Sequence, residues 1–205
     1  MKKNHCWRVF IQGCILSLIA VSLTMCTTKP TWTAEEKALI TENPDTKMRL
    51  WTVDNETDSV FLRQQCLPLT KEDITSPVFQ QLKDRMLLTV TDPENEGVGI
   101  AAPQVGISRQ LVAVQRLDKE GAPFEFYVNP CLAYLSEEKK NGWEGCLSVP
   151  GKRGEVSRST WVVVEYNDLA DYTLRRDTIK GFTAVIFQHE IDHLDGTLYI
   201  DFIEQ

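Results

Sequence analysis

The sequence has little positive charge, few histidines and no repeated segment. Its 22 Lys and Arg residues are outnumbered by 29 Asp and Glu residues, which gives a formal net charge of −7. This acidic balance argues against a nucleic-acid partner, because phosphates are bound by surfaces rich in Lys and Arg. The absence of an internal repeat excludes solenoid folds. With 205 residues, 42% of them hydrophobic, the chain is long enough to bury one sizeable core, so one folded domain is expected.

A long membrane-spanning run is also missing. The main apolar stretch, residues 9–25, follows three basic residues and is interrupted by Gln12 and Gly13. A membrane-spanning helix needs about 20 predominantly apolar residues. The stretch is therefore more typical of an export signal over residues 1–25.

The end of this stretch, "SLTMC", resembles the lipobox of bacterial lipoproteins, with Leu23 three residues before Cys26. Met25 departs from that pattern, which usually has a small residue there. The resemblance predicts a lipid anchor at Cys26 and an exported, membrane-anchored protein. The alternatives are an uncleaved leader that keeps the protein at the inner-membrane face, or a cytoplasmic location. Residues 26–55 are polar and Thr-rich, and we predict a tether there with one short helix at "AEEKALI".

Three cysteines fall in the predicted folded part: Cys66, Cys131 and Cys146. Either Cys66 pairs with Cys131 or both are buried thiols, because pairing depends on a Cα separation that the sequence does not give.

The remaining pattern predicts an α+β fold. Apolar residues at spacings of three and four predict a helix from Ser76 to Val90. Short β-rich runs begin at residues 111, 124 and 160. A second long helix begins near Gly181 and is ended by Gly196. Strands followed by one helix favour α+β rather than alternating α/β.

The segment "FQHEIDHLDG", residues 187–196, carries the chemistry. His189 and His193 lie one turn apart on one helix face, so both rings can reach one point. They are the only histidines outside the predicted signal. A metal ion would satisfy both imidazoles, and Glu190 could take a proton from water that the metal activates. The alternative is a buried histidine pair bonded to backbone carbonyls.

A third ligand is needed from elsewhere. The metzincin pattern HExxHxxGxxH is followed as far as Gly196, but its last position is Tyr199. A thermolysin-like glutamate would lie well downstream, yet only 12 residues follow His193. Upstream, "GWEGCLSVPG" offers Cys146, whose thiolate is a strong metal ligand.

Three blocks stand in order: "GVGIAAPQVG" at 97–106, "EGCLSVP" at 144–150 and "QHEIDHLDG" at 188–196. Together they resemble the three signature motifs of peptide deformylases. The resemblance implies a catalytic domain over residues 56–205, with antiparallel β-sheets surrounding a central metal-bearing HExxH helix.

The resemblance implies that Cys146, His189 and His193 hold one divalent ion, usually Fe(II) in this family, with Zn, Ni or Co as substitutes. It makes Glu190 the proton carrier. The oxyanion donors that it implies are the side-chain amide of Gln104 and the backbone N–H of Leu147.

For the substrate, the resemblance implies that Gly99 and Ile100 pair with an extended peptide as an added strand. Arg153 and Arg158 match family arginines, and we expect Arg158 to pair with Glu144. Solvent-facing charges are the alternative for both arginines.

The implied function is a metal-dependent hydrolase that removes the N-formyl group from N-formyl-methionyl peptides and releases formate. We expect a monomer whose partners are that peptide and, through the anchor or leader, a membrane. Two alternatives remain open: a hydrolase of another N-acyl peptide, and an exported metal-binding lipoprotein without turnover. The sequence does not fix the metal used in the cell.

Overall fold

The computed structural model describes residues 32–95 and 97–203. The export signal predicted over 1–25 and the lipid anchor predicted at Cys26 lie outside these residues. The helices are α1 (Ala34–Thr41), α2 (Glu56–Leu62), α3 (Lys71–Ile74), α4 (Pro77–Val90) and α5 (Gly181–Leu194). The strands are β1 (Gly99–Ala101), β2 (Leu111–Gln115), β3 (Phe124–Leu135), β4 (Lys139–Cys146), β5 (Val149–Ser159), β6 (Trp161–Asn167) and β7 (Leu174–Lys180). Two 3₁₀ turns lie at Ala102–Val105 and Tyr199–Asp201.

The strands form two antiparallel sheets. Five of them pair in the order β1-β2-β3-β6-β7, and β4 pairs with β5 in a separate hairpin. Strands β1 and β7 are the edges of the larger sheet. The arrangement is the predicted α+β class with antiparallel sheets.

Helix α5 is buried on most of its sides, as its sequence indicates. Its apolar residues include Ala184, Phe187 and Leu194, all with 2% exposure or less. The helix packs against the larger sheet on one side and the β4–β5 hairpin on another. It ends where Gly196 takes a positive φ of 70°, the left-handed conformation that favours glycine.

The β4–β5 hairpin was not predicted. Most residues of β4 and many of β5 are exposed, so the pair lacks the alternation of a half-buried strand. Its turn lies between Cys146 and Val149, which are register partners. The hairpin therefore brings Cys146 towards α5.

The segment before residue 49 differs from the predicted tether. Thr33 and Glu36 form a reciprocal capping box at the start of α1. Trp32, Ile40 and Met48 are 3%, 0% and 3% exposed and belong to the main core cluster. From Trp32 onward the chain is thus part of the folded domain, and the expected tether over 26–55 does not continue past that residue.

Long-range polar contacts hold this segment in place. Glu36 accepts two hydrogen bonds from the buried Arg109, both at 2.7 Å. Arg85 donates to the backbone carbonyls of Leu39, Ile40 and Thr46 at 2.7–2.9 Å. Because the carbonyls of Leu39 and Ile40 belong to the last turn of α1, the arginine satisfies groups that a helix leaves unpaired.

Cys66 is a buried free thiol. It therefore does not form the disulfide with Cys131 that was one of the two alternatives. Burial raises the pKa of Cys66 to about 12, so the thiol is neutral at physiological pH.

Candidate active site

The structure brings the three predicted ligands together. Cys146, His189 and His193 each offer one ligand atom, and these atoms lie within 4.8 Å of one another. The Cys146 Sγ atom is 3.2 Å from Nε2 of His193. Cys146 is more than 40 residues from the histidines in the sequence, but the hairpin turn that carries it meets α5 at this point.

The Nε2 atoms of the two rings are the nitrogens that face this point. Nδ1 of His189 contacts Glu144 Oε2 at 2.8 Å, which leaves Nε2 to face the cluster. Among the described residues, Nδ1 of His193 is buried without a hydrogen-bond partner. Burial lowers the pKa of His193, which keeps its imidazole neutral, as a ligand requires. The donor set therefore fits a divalent transition-metal ion.

Glu144 connects His189 to a buried ion network. Arg158 donates to its two carboxylate oxygens at 2.7 and 3.0 Å, which is the pairing that we expected. Burial by itself raises the pKa of Glu144, but the hydrogen bonds from His189 and Arg158 hold it at about 2. Arg158 also bonds Asp192 on α5, so the same guanidinium joins the hairpin to the helix.

Gln188 provides a second connection between α5 and the sheet region. Its side-chain oxygen accepts from the Ser159 N–H, and its amide nitrogen donates to the Ser159 carbonyl, both at 3.0 Å. These paired bonds fix the rotation of α5 directly before His189.

Glu190 is buried beside the three ligands, with 4% exposure. Its Oε2 atom has no hydrogen-bond partner in the described part of the chain, and burial raises the pKa of its carboxyl group to about 7. A carboxyl group with a pKa near neutrality can both accept and return a proton. A Cβ atom on Gly99 would lie 2.5 Å from Glu190 Oε1, so only glycine allows the backbone this close.

Gln104 is oriented by its own backbone neighbourhood. Its Oε1 accepts from the Ala101 N–H at 2.8 Å, and its Nε2 lies 3.5 Å from Cys146 Sγ. The amide N–H groups are thereby directed at the metal cluster, as an oxyanion donor requires. Leu147, the other predicted donor, lines one cavity together with Gln104.

The backbone groups of Gly99 and Ile100, the two residues predicted to pair with a peptide, point in opposite directions. The carbonyl of Val98 accepts from Gln115 on β2 at 2.8 Å. Because hydrogen-bonding direction alternates along an antiparallel strand, the Gly99 groups point away from β2 and those of Ile100 point towards it. The Ile100 side chain is also fully buried in the core. Gly99 is therefore available at the free edge of β1, whereas the pairing expected for Ile100 is not supported.

A cavity of about 490 Å³ opens onto these groups, a volume typical of ligand sites. Arg153, predicted to bind substrate, is exposed and lines it. The cavity also has apolar lining residues that the sequence analysis did not identify: Val98, Trp143, Phe182, Val185 and Ile186. The last three lie seven, four and three residues before His189, a helical spacing that could have indicated one shared face.

The comparisons with known proteins agree with this geometry. The family model described as polypeptide deformylase matches residues 49–205. The chain belongs to the peptide deformylase family. It is 38% identical over 165 residues to a peptide deformylase of Roseiflexus sp. (strain RS-1), covering 75% of this chain and 86% of that protein. It is 43% identical over 139 residues to peptide deformylase 2 of a Nostoc strain, covering 65% and 76%.

Solved peptide deformylases share the fold. A Met-Ala-Ser-bound class I type b enzyme from Acinetobacter baumannii superposes with a TM-score of 0.68 at 34% identity, covering 78% of this chain and 99% of that one. The Thermotoga maritima enzyme gives a TM-score of 0.66 at 31% identity, with coverages of 78% and 99%. The family match over residues 49–205 includes the sheets, α5 and the cluster, and it begins after the docked segment 32–48.

Proposed function

We propose that this deformylase hydrolyses the N-formyl group of peptides that begin with N-formyl-methionine and releases formate. The observation that carries the proposal is the convergence of Cys146, His189 and His193 beside a buried carboxyl group and a directed amide. Three protein ligands are the number typical of catalytic rather than structural sites. The related A. baumannii enzyme is bound to Met-Ala-Ser, which supports a methionyl peptide as the substrate class here.

Cys146, His189 and His193 would hold the metal. A divalent ion in such a site supplies Lewis acidity and activates water. We propose Fe(II) as the ion in the cell, with Zn, Ni or Co able to replace it. The S and N donor set suits these ions.

The protein's own groups perform the proton and charge chemistry. Glu190 accepts a proton as water attacks the formyl carbon and returns it to the departing amine. Gln104 and the Leu147 N–H stabilise negative charge on the formyl oxygen, a contribution of about 3 kcal/mol per donor. The burial of Glu190 keeps its carboxyl group out of bulk water, so it can change protonation state near neutral pH.

Substrate orientation comes from the cavity walls. An extended peptide adds to the free edge of β1 at Gly99 by backbone hydrogen bonds. The methionine side chain then lies against Val98, Val185 and Ile186 on the apolar wall, while Arg153 at the rim contacts the downstream peptide.

The test is formate release from formyl-Met-Ala-Ser by metal-loaded protein. We expect Glu190→Gln to lower kcat by about 10²–10⁴-fold without loss of bound metal. Glu120→Gln, a change at an exposed turn residue, is the matched control and should retain full activity. If the parent protein binds metal but releases no formate, the non-catalytic alternative is favoured. Faster cleavage of acetyl-Met-Ala-Ser would instead favour a different N-acyl substrate.

We further propose that the enzyme is an exported lipoprotein anchored at Cys26 and that it acts as a monomer. The support for the anchor is the lipobox-like "SLTMC" ending at Cys26, and the first buried residue of the described domain is Trp32. Six residue steps separate the two positions, a reach of at most about 20 Å. An anchored catalytic domain would therefore lie directly at the membrane surface. No helix within 32–95 or 97–203 is long and apolar enough to cross a bilayer.

Labelled palmitate tests the anchor. Incorporation that is lost in Cys26→Ala supports it, whereas a membrane-bound but unlabelled protein would favour an uncleaved leader, and a fully soluble one a cytoplasmic enzyme. Sedimentation of the protein released by detergent tests the monomer.

A further inference from the structure

A turn after α5 returns the chain to the metal cluster. Gly196 makes this turn, and a Cβ atom there would collide with the backbone of Arg63. The Leu198 N–H then donates to Asp201 Oδ2 at 2.9 Å, and Asp201 pairs with Arg63. These contacts fix the 3₁₀ turn Tyr199–Asp201 beside α5.

Tyr199 in this turn packs against His189, the first of the two histidine ligands. Its ring lies roughly parallel to that of His189, with centroids 5.9 Å apart and an angle of 24° between the planes. The residue is only 1% exposed. The stacked ring limits rotation of the imidazole about its side-chain bonds, while Glu144 holds the imidazole by its Nδ1 edge at 2.8 Å.

The same tyrosine contacts the hairpin that carries the sulfur ligand. Its hydroxyl donates to the Lys152 carbonyl at 2.9 Å. It also belongs to a small apolar cluster with Val149 and Val156, against which Cys146 packs. Tyr199 therefore fills the space between the hairpin and the imidazole of α5.

We propose that Tyr199 is a positioning residue for the metal site, a role that rests on the proposed metal binding. Its ring holds His189 and the Cys146 turn at the separation that one ion requires. It is not a ligand, because its hydroxyl is engaged by Lys152, and it does not line the substrate cavity. At the position where the metzincin pattern places a third histidine, this chain thus has an aromatic ring that orients the first one.

The test is metal affinity, measured by competition with a chelator for Zn²⁺ and Co²⁺. Tyr199→Leu removes the stacked ring, and we expect its Kd to rise by about 10–100-fold, as for other residues that orient metal ligands. Tyr199→Phe keeps the ring, and its Kd should stay within about threefold of the parent protein. The visible absorption bands of the Co²⁺ protein should change in the leucine variant and be retained in the phenylalanine variant.

Phe79→Leu is the matched control, because Phe79 is a buried aromatic residue of α4 with 2% exposure and belongs to another core cluster. It should reduce stability and leave metal affinity unchanged. If Tyr199→Leu does not fold, Tyr199→Met takes its place, because the flexible thioether side chain adapts to irregular gaps in a core. Unchanged affinity in Tyr199→Leu, an equal loss in Tyr199→Phe, or an equal loss in Phe79→Leu would each overturn the proposal. Tight metal binding without formate release would remove the proposed activity and leave this role intact.

Discussion

The docked segment before residue 49 makes a quantitative prediction about stability. Ile40 in α1 is fully buried, and its neighbours in the core cluster include Phe79, Leu82 and Met86 of α4. Truncation to alanine removes three carbons, worth about 2.4 kcal/mol at about 0.8 kcal/mol each. The cavity left behind brings the total to about 3–4 kcal/mol. A flexible tether would give a change near zero.

Equilibrium urea unfolding of the purified chain measures this difference. Ile40→Ala should move the midpoint to lower urea with little change in the m-value. In a thermal scan the same loss corresponds to about 2–4 °C for each kcal/mol. Val60→Ala is the control, because that side chain is 62% exposed and its loss should change stability by less than about 0.5 kcal/mol.

The reasoning is refuted if Ile40→Ala unfolds at the same urea concentration as Val60→Ala. An equal result would mean that α1 does not contribute to the cooperative unit. A loss confined to α1, with the rest of the chain unfolding at the parent midpoint, would refute it equally.

Three further predictions concern the site, an ion pair and a thiol. Gly99→Ala places a methyl group 2.5 Å from Glu190 Oε1, so kcat/KM for formyl-Met-Ala-Ser should fall by at least about 100-fold with an unchanged circular dichroism spectrum; near-parent activity would contradict the close approach. Hydrogen bonds from Arg49 lower the pKa of Asp58 below its ordinary 3.8. The parent protein should therefore be more stable than Asp58→Asn at pH 7, and this difference in unfolding free energy should disappear as pH falls through 3.8 and below. A difference that stays constant down to pH 3 in urea titrations would be inconsistent with this. Cys66, with a pKa of about 12, should react with iodoacetamide at pH 8 only after unfolding, and rapid modification of the folded protein, mapped by mass spectrometry, would show that it is accessible.

The sequence predicted best the elements with strong local patterns. Helices α4 and α5 carry helical spacing together with a Ser76 cap and a Gly196 stop, and these signals lie within the segments themselves. The metal cluster was predicted for a similar reason, since HExxH sets the spacing of two ligands by helix geometry.

The features that the sequence did not predict depend on distant partners. The β4–β5 hairpin is polar along much of its length, because it is a two-stranded unit with much of its surface in water. Strand β7, "LRRDTIK", has little apolar character for the same reason, as an edge strand. The sequence around Glu36 indicates an ordinary surface charge, because its partner Arg109 lies 73 residues away. The contact of Tyr199 with His189 likewise depends on the return of the chain after Gly196.

The backbone wall at Gly99 has a consequence for how this enzyme could diverge. One side of the pocket next to Glu190 is main chain, which offers evolution no side chain to exchange. Changes in the preferred first residue must therefore arise at the side chains that line the pocket, such as Val98, Val185 and Ile186. Sequence changes that alter this pocket are confined to the side chains that line it.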